Sequence, residues 1–336
     1  MTRANRQQGF SIMEILIVML IMGIVTAQMW VVFTSQKRTF MKQDAALDVQ
    51  EDARLITDLI AFDTRQAGFM VPNTASVSST DGQAAGNDTP DRFCVSDSTS
   101  YAIPDYGQSD PIWDAAQEPF GGVAAMAVAQ QAIVLQAGGS LDVDGDGLLD
   151  FQVPAAAFGP DGGGVIISDQ SGRFSYCGRI AAWIPPQILL EPNHQMTAQL
   201  ANNLSLGGAV VVPAIIYEVD EPNLTLMRNG TALATQVEDL QVEYWVDAGI
   251  VDTMDAGEFP VHDLSNLPNV NLNFTTDLIK RVRISVITRS NQADVDESKQ
   301  FARHRRPAAG NRAEGVPDLF PRRRFTSSVV PRNSQL

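Results

Sequence analysis

Closely spaced acidic residues are the most chemically distinctive feature of this 336-residue chain, in the stretch LDVDGDGLLD. Its carboxylates occupy the first, third, fifth and ninth positions of a calcium-type loop, while a glycine permits the sharp turn and a backbone carbonyl is free to bind. These positions are Asp142, Asp144, Asp146, Asp150, Gly147 and Leu148. The twelfth position is Val153 instead of the bidentate glutamate of an EF-hand. We therefore expect a structural calcium ion here, with a hydrated acidic turn as the alternative.

A second pattern lies near the amino terminus, where an apolar run from Phe10 to Phe33 contains one charged residue, Glu14. As a helix rising about 1.5 Å per residue, this run is long enough to cross a bilayer. A carboxylate within such a span costs up to about 2.5 to 3.5 kcal/mol unless it is paired. Cleavage between Gly9 and Phe10 would provide the pairing group, because the new terminal ammonium, on the same or a neighbouring helix, can neutralise Glu14.

An ordinary secretory signal is the competing interpretation of this run. Arg3 and Arg6 provide a charged start, and residues 25–27 resemble a small-residue cleavage site. However, an acid is unusual in the apolar core of a signal, and the apolar run continues past Ala27 through residues 30–33. A segment that is discarded after export would not need that extension.

The stretch GFSIMEILIVMLIMGIV resembles the class III leader and hydrophobic helix of type IV prepilins and type II secretion pseudopilins. In that family a prepilin peptidase cuts after the glycine and methylates the new first residue, so Gly9, Phe10 and Glu14 correspond to the processing and assembly positions. The resemblance implies a cytoplasmic leader and a periplasmic head. FDTRQAGF (residues 62–69) further resembles the end of this helix in the PilW-type minor pilins and the J-type pseudopilins, and several carboxyl-terminal segments resemble the carboxyl half of PilW-type proteins.

Charge is unevenly distributed along the chain. The formal net charge is -15, and removal of two arginines with the leader would change it to -17. This acidity argues against a general nucleic-acid binder, because phosphate backbones favour a basic surface. Residues 299–336 nevertheless contain nine basic and two acidic side chains. The basic tail can therefore pair with the acidic body of the same chain or of its copies. For its arginines we expect acidic neighbours in an assembly, with contact to DNA as the alternative.

The remaining candidates for chemistry are sparse. Cys94 and Cys177 have no partner at zinc-ligand spacing, and outside the cytoplasm they can close a disulfide; the sequence leaves open whether they do. His194, His262 and His304 have no neighbour that would make them bases or ligands. With no nucleophile elbow, phosphate loop or zinc-protease motif, we expect no enzymatic activity.

The elements around these residues predict an α+β fold, in which a long amino-terminal helix packs on an antiparallel β-sheet head. The helix is expected over residues 10–67 with Gly68 as its stop, and residues 70–130 are expected to be exposed and irregular. Alternating apolar residues predict one antiparallel sheet of at least four strands. The strand segments are AVVVPAIIYEVD, NLTLMR, VEDLQVEYWVD and IKRVRISVITRS. The predicted domains are a leader (1–9), a transmembrane and assembly helix (10–67) and a head (68–336).

Together these features predict a PilW-type minor pilin. The resemblance implies storage in the bacterial inner membrane, processing by prepilin peptidase, and assembly with other minor pilins and the major pilin at the fibre or its tip. The nearest alternative is a J-type pseudopilin of type II secretion. From another class, the alternative is a secreted or anchored calcium-binding adhesin or enzyme.

Overall fold

The computed structural model describes residues 11–67, 76–80, 90–97, 123–128, 131–135, 140–141, 151–152, 163–169, 174–184, 187–207, 209–246, 279–291, 304–309 and 312–331. The chain divides into two compact units, Met1–Asp48 and Val49–Leu336. Helix α1 (Ile12–Gln66) begins in the first unit and ends in the second. The predicted domain boundaries lie at the expected cleavage site and at the end of the helix. The division into two units does not test them, so they remain predictions.

Within the second unit, residues 49–66 of α1 bury one face. Ala53, Ile56, Ile60 and Ala61 are at most 2% exposed, and their mostly three- and four-residue spacing places them on one side of the helix. They pack in a core with apolar residues of the sheets. The predicted fold class, a long helix followed by an antiparallel sheet head, is confirmed.

Fifteen strands and a second helix follow α1 within the described residues. The strands are β1 (Val77–Thr80), β2 (Arg92–Ser96), β3 (Val123–Val128), β4 (Ala132–Leu135), β5 (Ser140–Leu141), β6 (Phe151–Gln152), β7 (Gly164–Asp169), β8 (Ser175–Ile184), β9 (Gln187–Leu190), β10 (Ala209–Asp220), β11 (Thr225–Arg228), β12 (Thr231–Thr235), β13 (Val237–Val246), β14 (Ile279–Arg289) and β15 (Arg322–Val329). A 3₁₀ turn (Pro192–His194) and α2 (Ala198–Gly207) separate β9 from β10.

Strand β10 organises the larger sheet because its two edges pair with four different strands. One edge pairs with β3 as far as Val211 and with β2 from Ala214 onward; the other pairs with β7 and then with β11. Pro213 lies where β3 gives way to β2, and proline has no N–H to donate to a ladder. Its carbonyl oxygen instead accepts the Asp97 N–H at 3.0 Å.

Six antiparallel strands of this sheet close into a ring, in the order β10, β3, β4, β9, β8, β7 and back to β10. Closure removes free edges and leaves an interior to be filled by side chains. Ile133, Val165, Ile188 and Val211 contribute to that core, and Leu204 of α2 packs in the same cluster. The Thr197 hydroxyl caps α2 by accepting the Leu200 N–H at 3.2 Å.

Strands β13, β14 and β15 form a separate three-stranded sheet. Leu240, Val242 and Ile284 are fully buried, and they share the core that contains Ile56 and Ile60 of α1. The alternation predicted for these strands therefore places their apolar residues in the core. The prediction of one sheet is wrong, however, because β10 and β11 belong to the larger sheet and β13 and β14 to the smaller one.

The expectation of an exposed, irregular region over residues 70–130 is also wrong where the structure describes it. Strands β1, β2 and β3 lie in this region, and Val77, Phe93 and Val95 are at most 1% exposed. Short strands rich in serine and alanine produce little hydrophobic periodicity. Their pairing with β10 is a long-range contact that local patterns do not encode.

Candidate functional site

The first turn of α1 holds the predicted assembly residue. The Ser11 hydroxyl accepts the Met13 N–H at 3.3 Å, and the Ser11 carbonyl accepts the Glu14 N–H at 3.0 Å. Ser11 thus acts as the helix N-cap, and Glu14 lies in the first turn with its side chain exposed. An acid at this position also interacts favourably with the helix dipole. Gly9 and Phe10, the predicted processing residues, lie outside the described residues.

The helix surface beyond Glu14 is apolar and uncovered. Residues 12–41 are long and apolar enough to cross a membrane, and the large apolar side chains of residues 12–33 are each 49% exposed or more. The hydroxyl groups of Thr26 and Thr34 donate to the carbonyls of Met22 at 2.7 Å and Trp30 at 3.0 Å. Polar groups satisfied within the helix can lie in hydrocarbon at low cost. Glu14 is the one charged side chain of residues 12–33 in the sequence.

The predicted calcium ligands, Asp142, Asp144, Asp146, Leu148 and Asp150, lie outside the described residues. The strands on either side of them are described: β5 pairs with β6 through Ser140 with Gln152 and Leu141 with Phe151. The two ends of the acidic segment are therefore held together. Elsewhere in the described part of the chain, His, Cys, Asp and Glu form no cluster of three or more that could hold a metal ion.

The two cysteines are joined. Cys94 of β2 and Cys177 of β8 form a disulfide with 5.5 Å between their Cα atoms, and both residues are fully buried. Around them lies a small apolar cluster that includes Ile166 and Val212. The bond connects the ring of strands to β2, which lies outside the ring, and it spans 83 residues of sequence.

Asp63 fixes the second half of α1 to the sheet. Its carboxylate accepts hydrogen bonds from the hydroxyl of Tyr217 on β10 and from the guanidinium Nη2 of Arg228 on β11, the latter at 2.9 Å. Only 8% of the Asp63 side chain is exposed. Burial, together with the nearby Asp63 charge, raises the pKa of Tyr217 above its ordinary value. This bond network gives a structural role to Asp63 of the FDTRQAGF segment.

A second polar network surrounds His194 in the 3₁₀ turn. Its Nδ1 accepts the backbone N–H of Arg179 at 3.1 Å, so its Nε2 carries the proton and faces the Glu218 carboxylate at 3.1 Å. Burial lowers the pKa of His194 below its ordinary value, and the positive charges of Arg92 and Arg179 act in the same direction against the effect of Glu218. His194 is therefore a neutral, satisfied histidine.

Charged groups around that histidine balance one another. The Arg179 guanidinium bonds to both Glu191 and Glu218. Burial opposes ionisation of Glu218, but His194, Arg179 and Arg92 outweigh it and lower the pKa of this carboxyl. The network joins β8, β10, the 3₁₀ turn and the residue that precedes this turn, and its geometry indicates a structural role.

Several arginines of the basic tail bind acids of the same chain. Arg306 and Arg312 contact the fully buried Asp239 carboxylate at 2.8 and 3.0 Å. Arg322 pairs with Glu238 and Asp318, and its side chain is only 5% exposed. Of the two kinds of partner that the sequence allowed, acids of the same chain and acids of its copies, these three residues use acids of the same chain. They connect residues 304–309 and 312–318 to the smaller sheet.

Comparison with known proteins identifies the amino-terminal motif. Residues 4–27 match the family model for the prokaryotic N-terminal methylation motif. This range includes Gly9, Phe10 and Glu14. No curated protein matches the chain. Among solved structures, a type IV-like pilin from Thermus thermophilus shows 11% identity over 52% of this chain and 85% of that chain, with a TM-score of 0.21. The chain thus carries an N-terminal methylation motif on a long apolar helix, ahead of an antiparallel head.

Sequence reasoning missed the two polar networks. A carboxylate among apolar helix positions, Asp63 between Ile60 and Ala67, was a usable signal, because a buried acid requires a partner. His194 and Glu218 gave no comparable signal, since they come from distant segments.

Proposed function

We propose that this chain is a minor pilin of the PilW type, which takes part in initiating, priming or capping a type IV pilus. The observation that carries the proposal is Glu14, a lone carboxylate in the first turn of an exposed apolar helix and within the range that matches the methylation motif. In a bilayer that acid needs a positive partner, and the amino terminus of a neighbouring pilin can provide it. The helix is the assembly element and the β-rich unit is the exposed head.

Location and partners follow from this role. Before assembly the protein spans the inner membrane once with its head in the periplasm, and afterwards it lies in the fibre or at its tip. Prepilin peptidase, other minor pilins and the major pilin are its partners, and nucleic acid is not among them. An oxidising compartment suits the buried disulfide of the head. The role is structural, without a catalytic step.

The decisive measurement is the first residue and intact mass of the protein isolated from membranes of its native host. A start at methylated Phe10 is expected, because cleavage after Gly9 leaves Glu14 one turn inside the new terminus. A start at Gln28 would instead indicate an exported protein and would overturn the proposal.

A Glu14→Ala variant tests the assembly role separately. Processing should remain normal, whereas co-purification with other pilins should fall strongly, because docking requires the acid. Glu314→Ala, which removes an exposed acid of the head, is the control. Normal piliation in the Glu14 variant would refute the docking role.

The J-type pseudopilin remains the alternative within this class, since FDTRQAGF is similar to both groups. Deletion of the gene in its native host distinguishes them. Loss of pili with normal secretion supports the minor pilin, whereas loss of secretion with normal pili supports the pseudopilin.

We also propose that the head binds a structural calcium ion through Asp142, Asp144, Asp146, Asp150 and the Leu148 carbonyl. The spacing of the acids and the pairing of β5 with β6 around them support this proposal. Calcium should raise the melting temperature of the full-length protein, and Asp144→Asn should abolish the increase. A melting temperature that responds to neither calcium nor chelator would refute the site.

A further inference from the structure

Residues 49–66 of α1 carry an exposed stripe on the side opposite the core, which we call the outer seam. It consists of Glu51, Leu55, Asp58 and Phe62. Leu55 is 69% exposed and Phe62 53%, and both acids are exposed as well. At 3.6 residues per turn, the four positions fall within about 60° of arc around the helix. The buried residues of the same segment lie on the other side.

Exposed apolar side chains of this size are unusual when they form a row. Leu55 also borders a pocket that is lined by Leu59 and by Leu233 of β12. Within the described residues β12 pairs with β11 alone, so its second edge is open beside this pocket. Apolar rows that are rimmed by polar groups commonly mark sites of protein association.

The seam alternates acids with apolar residues. Its spacing of four, three and four residues is the helical periodicity by which neighbouring helices interlock. A partner helix must therefore offer apolar side chains and positive charges in the same order.

The acids of the seam are available for such a partner. Arg54 lies 3.9 Å from Asp58, but the two side chains are 83% and 73% exposed. An exposed pair of this kind contributes little stability and can exchange partners. Glu51 and the adjacent Asp52 add further negative charge on this side of the helix.

We propose that the outer seam binds an amphipathic helix of a different subunit, one that carries apolar residues at three- and four-residue spacing with lysine or arginine between them. A second copy of this chain is a poor occupant, because acids would then face acids. The inference rests on the proposed function in one respect: a pilus assembly would supply the partner helix.

The test uses a synthetic amphipathic helix of about three heptads, with leucine at the apolar positions and lysine at the intervening ones. Its binding to the full chain in lipid nanodiscs is measured by fluorescence anisotropy, with empty nanodiscs as the blank. We expect it to bind at least about tenfold more tightly than a matched peptide with glutamate for lysine. Glu51→Lys should weaken binding about fivefold, and Glu51→Lys with Asp58→Lys should reverse the preference between the two peptides.

Glu314→Lys, which makes the same charge change at an exposed acid elsewhere, is the matched control and should leave binding unchanged. Leu55→Ala should weaken binding without any change of charge. Equal losses in Glu51→Lys and Glu314→Lys would overturn the proposal, as that result indicates general charge attraction. Self-association that Glu51→Lys abolishes would also overturn it, since the occupant would then be a second copy. A start at Gln28 in the processing experiment would refute the pilin role and leave this peptide result unaffected.

Discussion

The two halves of helix α1, residues 12–33 and 49–66, differ in which of their side chains are buried. In residues 12–33 the large apolar side chains are exposed all around the helix, and the threonines return their hydroxyls to the helix backbone. In residues 49–66 one face is buried, with Ile60 fully covered, while the opposite face alternates acids with Leu55 and Phe62. A helix apolar on all sides requires a membrane or other helices, whereas a helix with one apolar face requires a domain of its own.

This difference indicates which property substitutions in each half of α1 should change. Changes in the first half should alter insertion and assembly, because its large apolar side chains are exposed. Changes in the second half should alter unfolding of the head, because its side chains contribute to the core. Two of the predictions below, for Ile60 and Asp63, set a buried position of the head against a matched exposed one.

The largest effect is expected from the disulfide. Replacement of Cys94 and Cys177 by alanine removes a link across 83 residues, which constrains the unfolded chain by about 4 to 5 kcal/mol in the loop-entropy model. Urea unfolding of the full-length protein in a membrane, followed by circular dichroism, should show this decrease in the free energy of unfolding. The apolar part of α1 should remain helical. Single and double variants should behave alike, since neither forms the bond. An unchanged midpoint would contradict the prediction.

An isoleucine pair makes the comparison directly. Ile60→Ala empties a fully buried site and should lower the free energy of unfolding by about 3 kcal/mol, whereas Ile21→Ala, at a site 54% exposed, should lower it by less than about 0.5 kcal/mol. Urea titrations of both variants measure the difference. Similar effects would mean that the first half also packs within the folded chain.

Asp63→Asn should have a somewhat smaller effect, about 2 kcal/mol, because it removes the charge that binds Arg228 and Tyr217 but keeps a polar side chain. The control is Asp58→Asn on the exposed face, for which less than about 0.5 kcal/mol is expected. Thermal unfolding at neutral pH compares the two variants. Equal shifts in melting temperature would show that the buried contacts of Asp63 do not stabilise the protein more than the exposed pair of Asp58.

The smallest effect is a pH dependence. Burial lowers the pKa of His194 below its ordinary 6.5, so the unfolded chain takes up a proton as pH falls through 6.5 while the folded chain does not. The free energy of unfolding should therefore decrease as the pH falls below 6.5. Glu218, whose pKa is also lowered, adds a further loss at more acidic pH.

His194→Gln should flatten the first of these two steps, and His304→Gln is the matched control at the other described histidine. Urea unfolding from pH 7.5 to 5 provides the measurement. A step that survives in His194→Gln would assign the pH dependence to other groups.

The sequence by itself determined the local elements. The apolar run predicts the start of α1, and alternating residues predict β10, β13 and β14 almost to their ends, because helical and strand periodicities are properties of neighbouring residues. The methylation motif is likewise a contiguous stretch. Glu14 could be singled out as the proposed assembly residue for the same reason.

Only the tertiary structure decided what lies between distant segments. It divided the predicted strands between two sheets, closed the ring through β10 and β7, joined Cys94 to Cys177, and paired Arg306 and Arg312 with Asp239. Each of these contacts connects segments whose own patterns are compatible with several partners. Which partner is chosen depends on the packing of the whole core and on the need to satisfy every buried charge, and neither can be derived from a local window.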